Sequence, residues 1–105
     1  MKSKLLPIAL AALALGSATS ALADLALATS KNCMSCHAVD RKVLGPSFKD
    51  VASKYKDDKA APDKLSAKVI KGGSGVWGPV PMPANTQVSD AEAKKLVAWI
   101  LATKP

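Results

Sequence analysis

The clearest helical pattern of the chain lies near its C-terminal end. In the stretch "AEAKKLVAWIL", apolar residues recur every three or four positions, as they do on one face of an α-helix. Ser89 and Glu92, three residues apart, match a capping box at the start of this helix. The positions that the pattern predicts to be buried are Ala93, Leu96, Val97, Ile100 and Leu101.

Three shorter segments also favour helix. The first covers about residues 24–33, and the second is "FKDVASKY", which follows Ser47 as its N-cap. The third runs from about Pro62, a favoured first-turn residue, to Lys71, after which two glycines end it. No segment shows the sustained alternation of a half-buried strand. The pattern therefore predicts an all-α protein of about four short helices.

A loop rich in glycine and proline, residues 72–88, separates the last two helices. It contains "PVPMPANT", in which Met82 stands between prolines. Proline fixes its own φ and pushes the preceding residue out of the helical region, so this stretch should be stiff and extended. Methionine is usually an adaptable residue that fills irregular gaps. Its rigid setting here indicates a role for its sulfur.

The first 23 residues have the pattern of a secretory signal peptide. Lys2 and Lys4 precede the apolar run "LLPIALAALALG", and small residues follow as far as Ala23. The alternative, a membrane anchor, needs about 20 consecutive apolar residues, and this run is shorter. We therefore expect cleavage after Ala23, a mature domain at residues 24–105 in the periplasm, and no stable membrane insertion.

The composition of residues 24–105 is that of one small basic domain with a limited core. Without the signal peptide the formal charge falls from +7 to +5, because two lysines and no acidic residue are removed. The lysines are spread along the sequence, and export makes nucleic acid a poor partner. A chain of about 80 residues with few aromatic side chains is near the limit of self-sufficient folding, so we expect another group to fill its middle. The aromatic residues of this part are Phe48, Tyr55, Trp77 and Trp99.

The motif "CMSCH", residues 33–37, is the strongest chemical signal in the chain. Cys-x-x-Cys-His is the attachment signature of c-type haem. Cysteines three positions apart on a helical turn lie on one face, about 5–6 Å apart at Cβ, and can form thioethers with one edge of a porphyrin. The adjacent histidine then reaches the iron. We therefore predict one haem c, covalently bound at Cys33 and Cys36, with His37 as an iron ligand.

Three other uses of the motif fit less well. A thioredoxin-like redox pair expects a βαβ setting, which the helical pattern lacks. A zinc site needs about four ligands, and the chain has two cysteines and one histidine. A structural disulfide is chemically reasonable outside the cytoplasm, but it leaves His37 and the small core unexplained.

Elimination narrows the candidates for the second iron ligand. His37 is the only histidine, and both cysteines are used in thioethers. Met1 leaves with the signal peptide and Met34 lies within the attachment loop, which leaves Met82. A methionine thioether is a known haem ligand that raises the reduction potential. A lysine or water as sixth ligand is the remaining alternative.

Taken together, these segments resemble the class I cytochromes c of the short bacterial type. The likeness covers essentially all of residues 24–105, through "CMSCHAVD", "VLGPSFKDVASKY", "GGSGVWGPVPMPAN" and "VSDAEAKKLVAWIL". It implies about four short helices wrapped around a covalently attached haem, with His37 as the proximal and Met82 as the distal iron ligand.

The resemblance also implies roles for four residues around the haem. The carbonyl of Pro46 is expected to accept a hydrogen bond from the other imidazole nitrogen of His37. Trp77 matches a tryptophan that donates to a haem propionate, and Asn85 matches an amide near the methionine sulfur. Lys68 falls where some relatives carry an arginine toward the propionates; a lysine keeps the charge but loses the bidentate geometry. An ordinary structural role is the alternative for each of the four.

Two protein ligands on the iron leave no position for oxygen or substrate, which favours electron transfer over catalysis. By resemblance, we expect a monomeric periplasmic shuttle for single electrons and not an enzyme. A bc1-type complex is an expected donor, and a nitrite reductase, a terminal oxidase or a cytochrome peroxidase is an expected acceptor. Two alternatives remain: a haem enzyme or gas sensor in which Met82 dissociates, and a cytochrome domain of a larger complex.

Members of this family also expose the haem edge through an apolar patch. Lysines such as Lys42 and Lys49 are expected to surround this patch and to orient acidic partners. The matching patch positions are Met34, Val43, Leu44, Pro79, Val80 and Pro81.

Overall fold

The computed structural model describes residues 16–104, and these residues form four α-helices. Two isolated bridges, and no β-strand, occur within them. The predicted all-α class and the number of helices are therefore confirmed. The elements are α1 (Gly16–Ser30), a 3₁₀ turn (Cys33–Ser35), α2 (Phe48–Tyr55), α3 (Ala61–Lys71) and α4 (Asp90–Leu101).

The caps of α2 and α4 are the ones that the sequence predicts. The Ser47 hydroxyl accepts a hydrogen bond from the Asp50 N–H at 3.0 Å. At the start of α4, the Ser89 hydroxyl accepts from the Glu92 N–H at 3.1 Å, while the Glu92 carboxylate accepts from the Ser89 N–H at 3.0 Å. Each bond satisfies a backbone donor that has no partner within its own helix.

Helix α3 begins without a side-chain cap of its own. The residue before it, Ala60, donates its N–H to Asp58 Oδ1 at 2.9 Å, and Asp58 Oδ2 pairs with Lys64 at 2.8 Å. The bond from Lys64 is the main reason that the pKa of the Asp58 carboxyl lies below its ordinary value. This short network fixes the turn that leads from α2 into α3.

Helix α1 differs from its predicted bounds. It ends at Ser30 rather than residue 33, because Asn32 takes a left-handed conformation (φ 65°) that an α-helix cannot continue and that asparagine tolerates well. The predicted cleavage point after Ala23 lies inside this helix, and residues 1–15 of the predicted signal peptide lie outside the described residues. No helix within residues 16–104 is long and apolar enough to span a bilayer.

Helix α4 lies at the centre of the packing and contacts α1, α2 and α3. Its inner face carries the predicted residues: Ala93, Leu96 and Val97 are buried, and Ile100 and Leu101 are half-buried. In the described part of the chain, Leu96 and Val97 are the only large side chains that are fully buried. The core is therefore small, as the composition predicts.

The capping box of α4 makes stability depend on pH. The pKa of the Glu92 carboxyl lies below its ordinary value of 4.5, chiefly because the Ser89 N–H donates to it and also because Lys31 lies close by. A carboxyl whose pKa is lower in the folded state stabilises the fold above its unfolded pKa, and this contribution is lost as the pH falls through the folded pKa. We therefore expect the free energy of unfolding to fall below about pH 4.5 by more in the wild type than in Glu92→Gln.

Urea unfolding at a series of pH values measures this difference. The glutamine can still accept the Ser89 N–H but does not titrate, so the comparison isolates the carboxylate from the other acidic groups of the chain. Parallel pH profiles for the two proteins would show that the capping carboxylate does not couple to stability.

Candidate functional site

A large cavity lies between helices α2, α3 and α4 and the loop that joins α3 to α4. It encloses about 1200 Å³ of space that protein atoms do not fill, part of it open to solvent. Its inner wall is apolar, with side chains from α2, α3 and α4 such as Val51, Leu65 and Ile100. A concave apolar space lined by several helices and a loop is the usual form of a ligand or cofactor site. Of the eight predicted site residues, those that line it are Cys33, Cys36, His37, Pro46, Lys68, Trp77 and Met82.

The cysteines and the histidine are brought together by the 3₁₀ turn. The Cys33 carbonyl accepts the N–H groups of both Cys36, at 3.2 Å, and His37, at 3.0 Å. Neither thiol is in a disulfide, and burial raises the pKa of the Cys33 thiol. Within residues 16–104, no three His, Cys, Asp or Glu side chains cluster in a way that could hold a metal ion. Both cysteines line the cavity together with His37.

The imidazole of His37 has one nitrogen committed to the protein. Its Nδ1 lies 2.8 Å from the carbonyl oxygen of Pro46. A carbonyl can only accept a hydrogen bond, so Nδ1 carries the proton and donates it. This bond leaves Nε2 as the ring nitrogen that can bind a metal ion.

Two residues that the sequence interpretation did not single out hold the same imidazole. A Cβ added to Gly45 would lie 2.6 Å from His37 Cε1 and 2.9 Å from Nδ1, so the ring requires glycine at this position. The Phe48 ring is stacked on the imidazole, with 5.2 Å between centroids, and Trp99 meets Phe48 edge-on at 5.5 Å. The ring is thus held by a hydrogen bond, a backbone contact and an aromatic contact.

The loop that carries Met82 is fixed to the end of α3 through its backbone. Met82 and Gly73 exchange two hydrogen bonds, at 2.7 Å and 3.0 Å. Gly72, with φ 73°, lies so close beneath the loop that a Cβ would be 2.5 Å from the Met82 carbonyl oxygen. The sequence pattern identified these two glycines only as the end of a helix. In the folded chain they are also the surface on which the methionine loop rests.

Asn85 does not line the cavity but closes the end of α3. Its backbone N–H donates to the carbonyls of Val69 and Ile70, both at 3.2 Å. Its side-chain Nδ2 donates to Val69 O at 2.9 Å and to Pro83 O at 3.3 Å. The last carbonyls of a helix have no partner within the helix, so Asn85 acts as a cap supplied from the neighbouring loop. Its amide donors are on backbone carbonyls here, whereas the resemblance places this amide near the methionine sulfur.

Lys68 and Trp77 line the cavity, and a second lysine, Lys54, lies against Trp77. Lys68 is half-buried, and its terminal atoms lie against Gly73. Trp77 is 41% exposed, and Lys54 Nζ lies 5.5 Å from the centre of its ring, a cation–π distance. Lys54 was not among the predicted site residues, because only the fold brings α2 and this loop together. Two positive charges therefore lie near residues of the cavity wall, Lys68 beside Gly73 and Lys54 beside Trp77.

The residues of the cavity fit a covalently attached haem. They offer two thiols at the required spacing, an imidazole held through Nδ1, a thioether sulfur and apolar walls. The family model for cytochrome c matches residues 25–104. The chain belongs to the cytochrome c family.

Curated relatives and solved structures agree with this assignment. Cytochrome c-551 from Allochromatium vinosum is 56% identical over 84 residues, which span 80% of this chain and 89% of that protein. Cytochrome c-552 from Nitrosomonas europaea is 52% identical over 84 residues, spanning 80% of this chain and 82% of that protein. The crystal structure of wild-type Nitrosomonas europaea cytochrome c552 matches with a TM-score of 0.75 and 51% identity, covering 76% of this chain and 99% of that one.

Membership of the family establishes the cofactor and the general role. As a small cytochrome c, the chain binds one covalently attached haem c and is an electron carrier. The predicted family, fold and cofactor are therefore confirmed.

The contact between Gly45 and His37 leads to a prediction. In Gly45→Ala, the new methyl group must displace the imidazole or the backbone beneath it, and overpacking of this kind costs about 1–3 kcal/mol. We expect a lower urea midpoint and shifted NMR resonances of the His37 ring.

Gly75→Ala is the control for this variant. Gly75 also carries a positive φ, of 97°, but a Cβ there would meet nothing within 4 Å. Backbone strain at Gly75 can lower stability but should leave the His37 resonances in place. Equal shifts of the imidazole in both variants would rule out a direct contact at Gly45.

Proposed function

We propose that this cytochrome c is an exported, periplasmic shuttle for single electrons, with His37 and Met82 as the axial ligands of its haem iron. The thioethers are formed by Cys33 and Cys36. The observation that carries the proposal is the placement of the methionines. Met82 lines the same cavity as His37, whereas Met34 packs against the helical core and does not line it.

Each proposed ligand is held by short contacts within the chain. The haem iron supplies the Fe(III)/Fe(II) couple when bound. His37 keeps one orientation because Pro46 holds its Nδ1–H, and Met82 keeps its place because Gly73 holds its backbone on both sides. Little needs to move between the two oxidation states, which suits outer-sphere electron transfer. With both axial positions taken by the chain, no position remains for a substrate, so the proposed role is not enzymatic.

The ligands and the walls of the cavity act on the potential in the same direction. A soft thioether ligand favours the ferrous state and raises the reduction potential. Apolar side chains around the iron also favour the less charged state, because a low-dielectric environment penalises charge. The proposed carrier therefore works at a relatively high potential.

Export is supported by the sequence pattern of residues 1–23, with cleavage proposed after Ala23. We therefore propose that the protein is a monomer in the periplasm, where it exchanges electrons with respiratory donors and acceptors. A bc1-type complex as donor, and a nitrite reductase, terminal oxidase or cytochrome peroxidase as acceptor, fit this location. Lys68 and Trp77 are proposed to contact the haem from within the cavity, as the resemblance implies. Asn85 is proposed to act on the haem site from outside the cavity, by holding the loop that carries Met82.

The proposed face for electron exit is the apolar rim of the cavity. Val43, Leu44 and Val80 are exposed there by 43%, 60% and 61%. Lys42 is exposed and Lys49 half-buried near the same segment, which supports docking of acidic partners. Met34, another predicted member of the patch, is half-buried against the core, so its place in the patch is the least supported.

The ligand proposal predicts the behaviour of Met82→Ala. Loss of the sulfur should abolish the weak far-red absorption band of methionine-ligated ferric haem while the haem stays covalently attached. The reduction potential should fall by roughly 0.1–0.3 V, within the span of about 0.8 V that axial ligands set. Absorption spectroscopy with a redox titration measures both effects.

Two further variants distinguish the effect of losing the sulfur atom from the effect of losing side-chain volume. Met82→Leu removes the sulfur with little change in size and should behave like Met82→Ala. Met34→Leu makes the same change at the other methionine and should keep the band and the potential. An unchanged spectrum and potential in both Met82 variants would assign the ligand to another residue.

The exit face predicts a salt-dependent reaction with an anionic oxidant. Oxidation of the reduced protein by hexacyanoferrate(III) should slow roughly tenfold as the ionic strength rises from about 10 to 150 mM, because the Debye length shrinks from about 30 to 8 Å. Lys42→Glu should lower the rate at low salt in stopped-flow measurements. Lys94→Glu makes the same change in charge in a separate groove between α3 and α4 and should have a smaller effect. Equal effects of the two variants would refute docking at this rim.

The overall function is tested by an oxidised-minus-reduced spectrum of the periplasmic fraction, with a redox titration. A reversible one-electron couple and the far-red band in the ferric protein are expected at neutral pH. A ferric protein that lacks this band and readily binds an added ligand such as cyanide would favour a haem enzyme or sensor.

A further inference from the structure

The end of the methionine loop is joined directly to the segment that precedes the haem-attachment turn. Lys31 Nζ donates to the Gln87 carbonyl at 3.0 Å, and Gln87 Nε2 donates to the Lys31 carbonyl at 3.0 Å. The two residues lie 56 positions apart in sequence. The Lys31 side chain is only 23% exposed and also pairs with Glu92 at 3.4 Å. These bonds therefore join the segment before the haem-attachment turn to the end of the methionine loop. The two segments must meet around the cavity.

Gln87 also determines how the Asn85 side chain is oriented. Its Nε2 donates to Asn85 Oδ1 at 3.1 Å in addition to the Lys31 carbonyl. Carbonyls only accept, so the end of the Gln87 amide that faces Lys31 O must be the donor end. For the same reason the Asn85 atom that faces Val69 O and Pro83 O must be Nδ2, which leaves Oδ1 for Gln87. All four contacts agree with one orientation of each amide.

We propose that Gln87 is a positioning residue for the Met82 loop. It holds Asn85 in the orientation that caps α3, and it fixes this cap to the backbone two residues before Cys33. The inference rests on the proposed ligation of iron by Met82. The linkage of Lys31, Gln87 and Asn85 runs outside the cavity, since none of the three lines it. Gln87 therefore acts on the iron ligand only through the backbone of the loop.

The role requires a side chain with two N–H donors at this length. Glutamate has the same shape, but a carboxylate cannot donate to Lys31 O or to Asn85 Oδ1. Leucine has a similar size and no polar group. Gln87 itself is exposed, so neither substitution disturbs the core. Thr86, the exposed neighbour in the same turn, provides a matched control.

The test compares Gln87→Glu, Gln87→Leu and Thr86→Ala with the wild type, all as holoproteins. Urea titrations follow two signals: the far-red band, which reports iron–sulfur ligation, and far-UV circular dichroism, which reports the helices. In both Gln87 variants we expect the equilibrium constant for band loss at low urea to rise three- to tenfold, as for the loss of one or two hydrogen bonds. The helical transition should move much less, and Thr86→Ala should match the wild type.

A purely structural role gives a different result. Equal shifts of the two transitions in the Gln87 variants would mean that the residue stabilises the whole fold and does not position the loop. An unchanged band transition would mean that the loop holds Met82 without Gln87. Either result would overturn the proposal.

A second measurement separates this proposal from the ligand assignment. Hydrogen exchange of the Asn85 side-chain amide, followed by NMR, should speed up at least threefold in Gln87→Leu, because its orientation is no longer fixed. A wild type without the far-red band would refute Met82 as the ligand, and with it the effect of Gln87 on that ligand. In that case unchanged exchange at Asn85 would also refute the hydrogen-bonded linkage, whereas faster exchange would retain the linkage alone.

Discussion

The space that side chains leave unfilled between α2, α3, α4 and the loops that carry His37 and Met82 is the constraint on which the rest of the structure depends. Leu96 and Val97 are the only large residues fully buried in the described part, and the remaining core is largely alanine. Apolar walls around an empty space are unfavourable, because their atoms lose contacts on one side. A covalently attached haem resolves this, since it supplies the missing apolar volume and cannot dissociate. The cofactor is therefore a structural part of the fold as well as its redox centre.

The same constraint explains why the site is built from short local structures. The helices are short, with 8 residues in α2 and 15 in α1, and each functional side chain has its own support. His37 is held by Pro46, Gly45 and Phe48, which all lie within 11 residues of it. Met82 depends on contacts with Gly72 and Gly73 at the end of α3. One proposed ligand is thus supported within its own segment, and the other by a neighbouring helix.

The features that the sequence predicted correctly are those that depend on residues close together in the chain. The caps at Ser47 and Ser89, the buried face of α4 and the cysteine turn each follow from residues within one or two turns of one another. The end of α1 was predicted too far along the chain. The left-handed conformation of Asn32 stops the helix at one residue, and such a stop leaves no trace in the hydrophobic periodicity. Asn85 as a cap of α3, Lys54 against Trp77 and the link from Gln87 to Lys31 depend on contacts between distant segments. Spacing along the chain carries no information about such contacts. An amide or a glycine at a fixed number of residues from Met82 is the sequence feature that could have indicated them.

The bonds between Lys31 and Gln87 have a consequence for the order of folding. They close a separation of 56 residues, whereas the bond from His37 to Pro46 closes one of nine. In the chain alone, the longer closure costs about 1.6 kcal/mol more in loop entropy. Contacts between near neighbours generally form before distant ones, so we expect the bonds of His37 with Pro46 and of Met82 with Gly73, each nine residues apart, to form before the link from Gln87 to Lys31. The link between the methionine loop and the attachment segment is therefore expected to close only after each side of the site has formed its own local contacts.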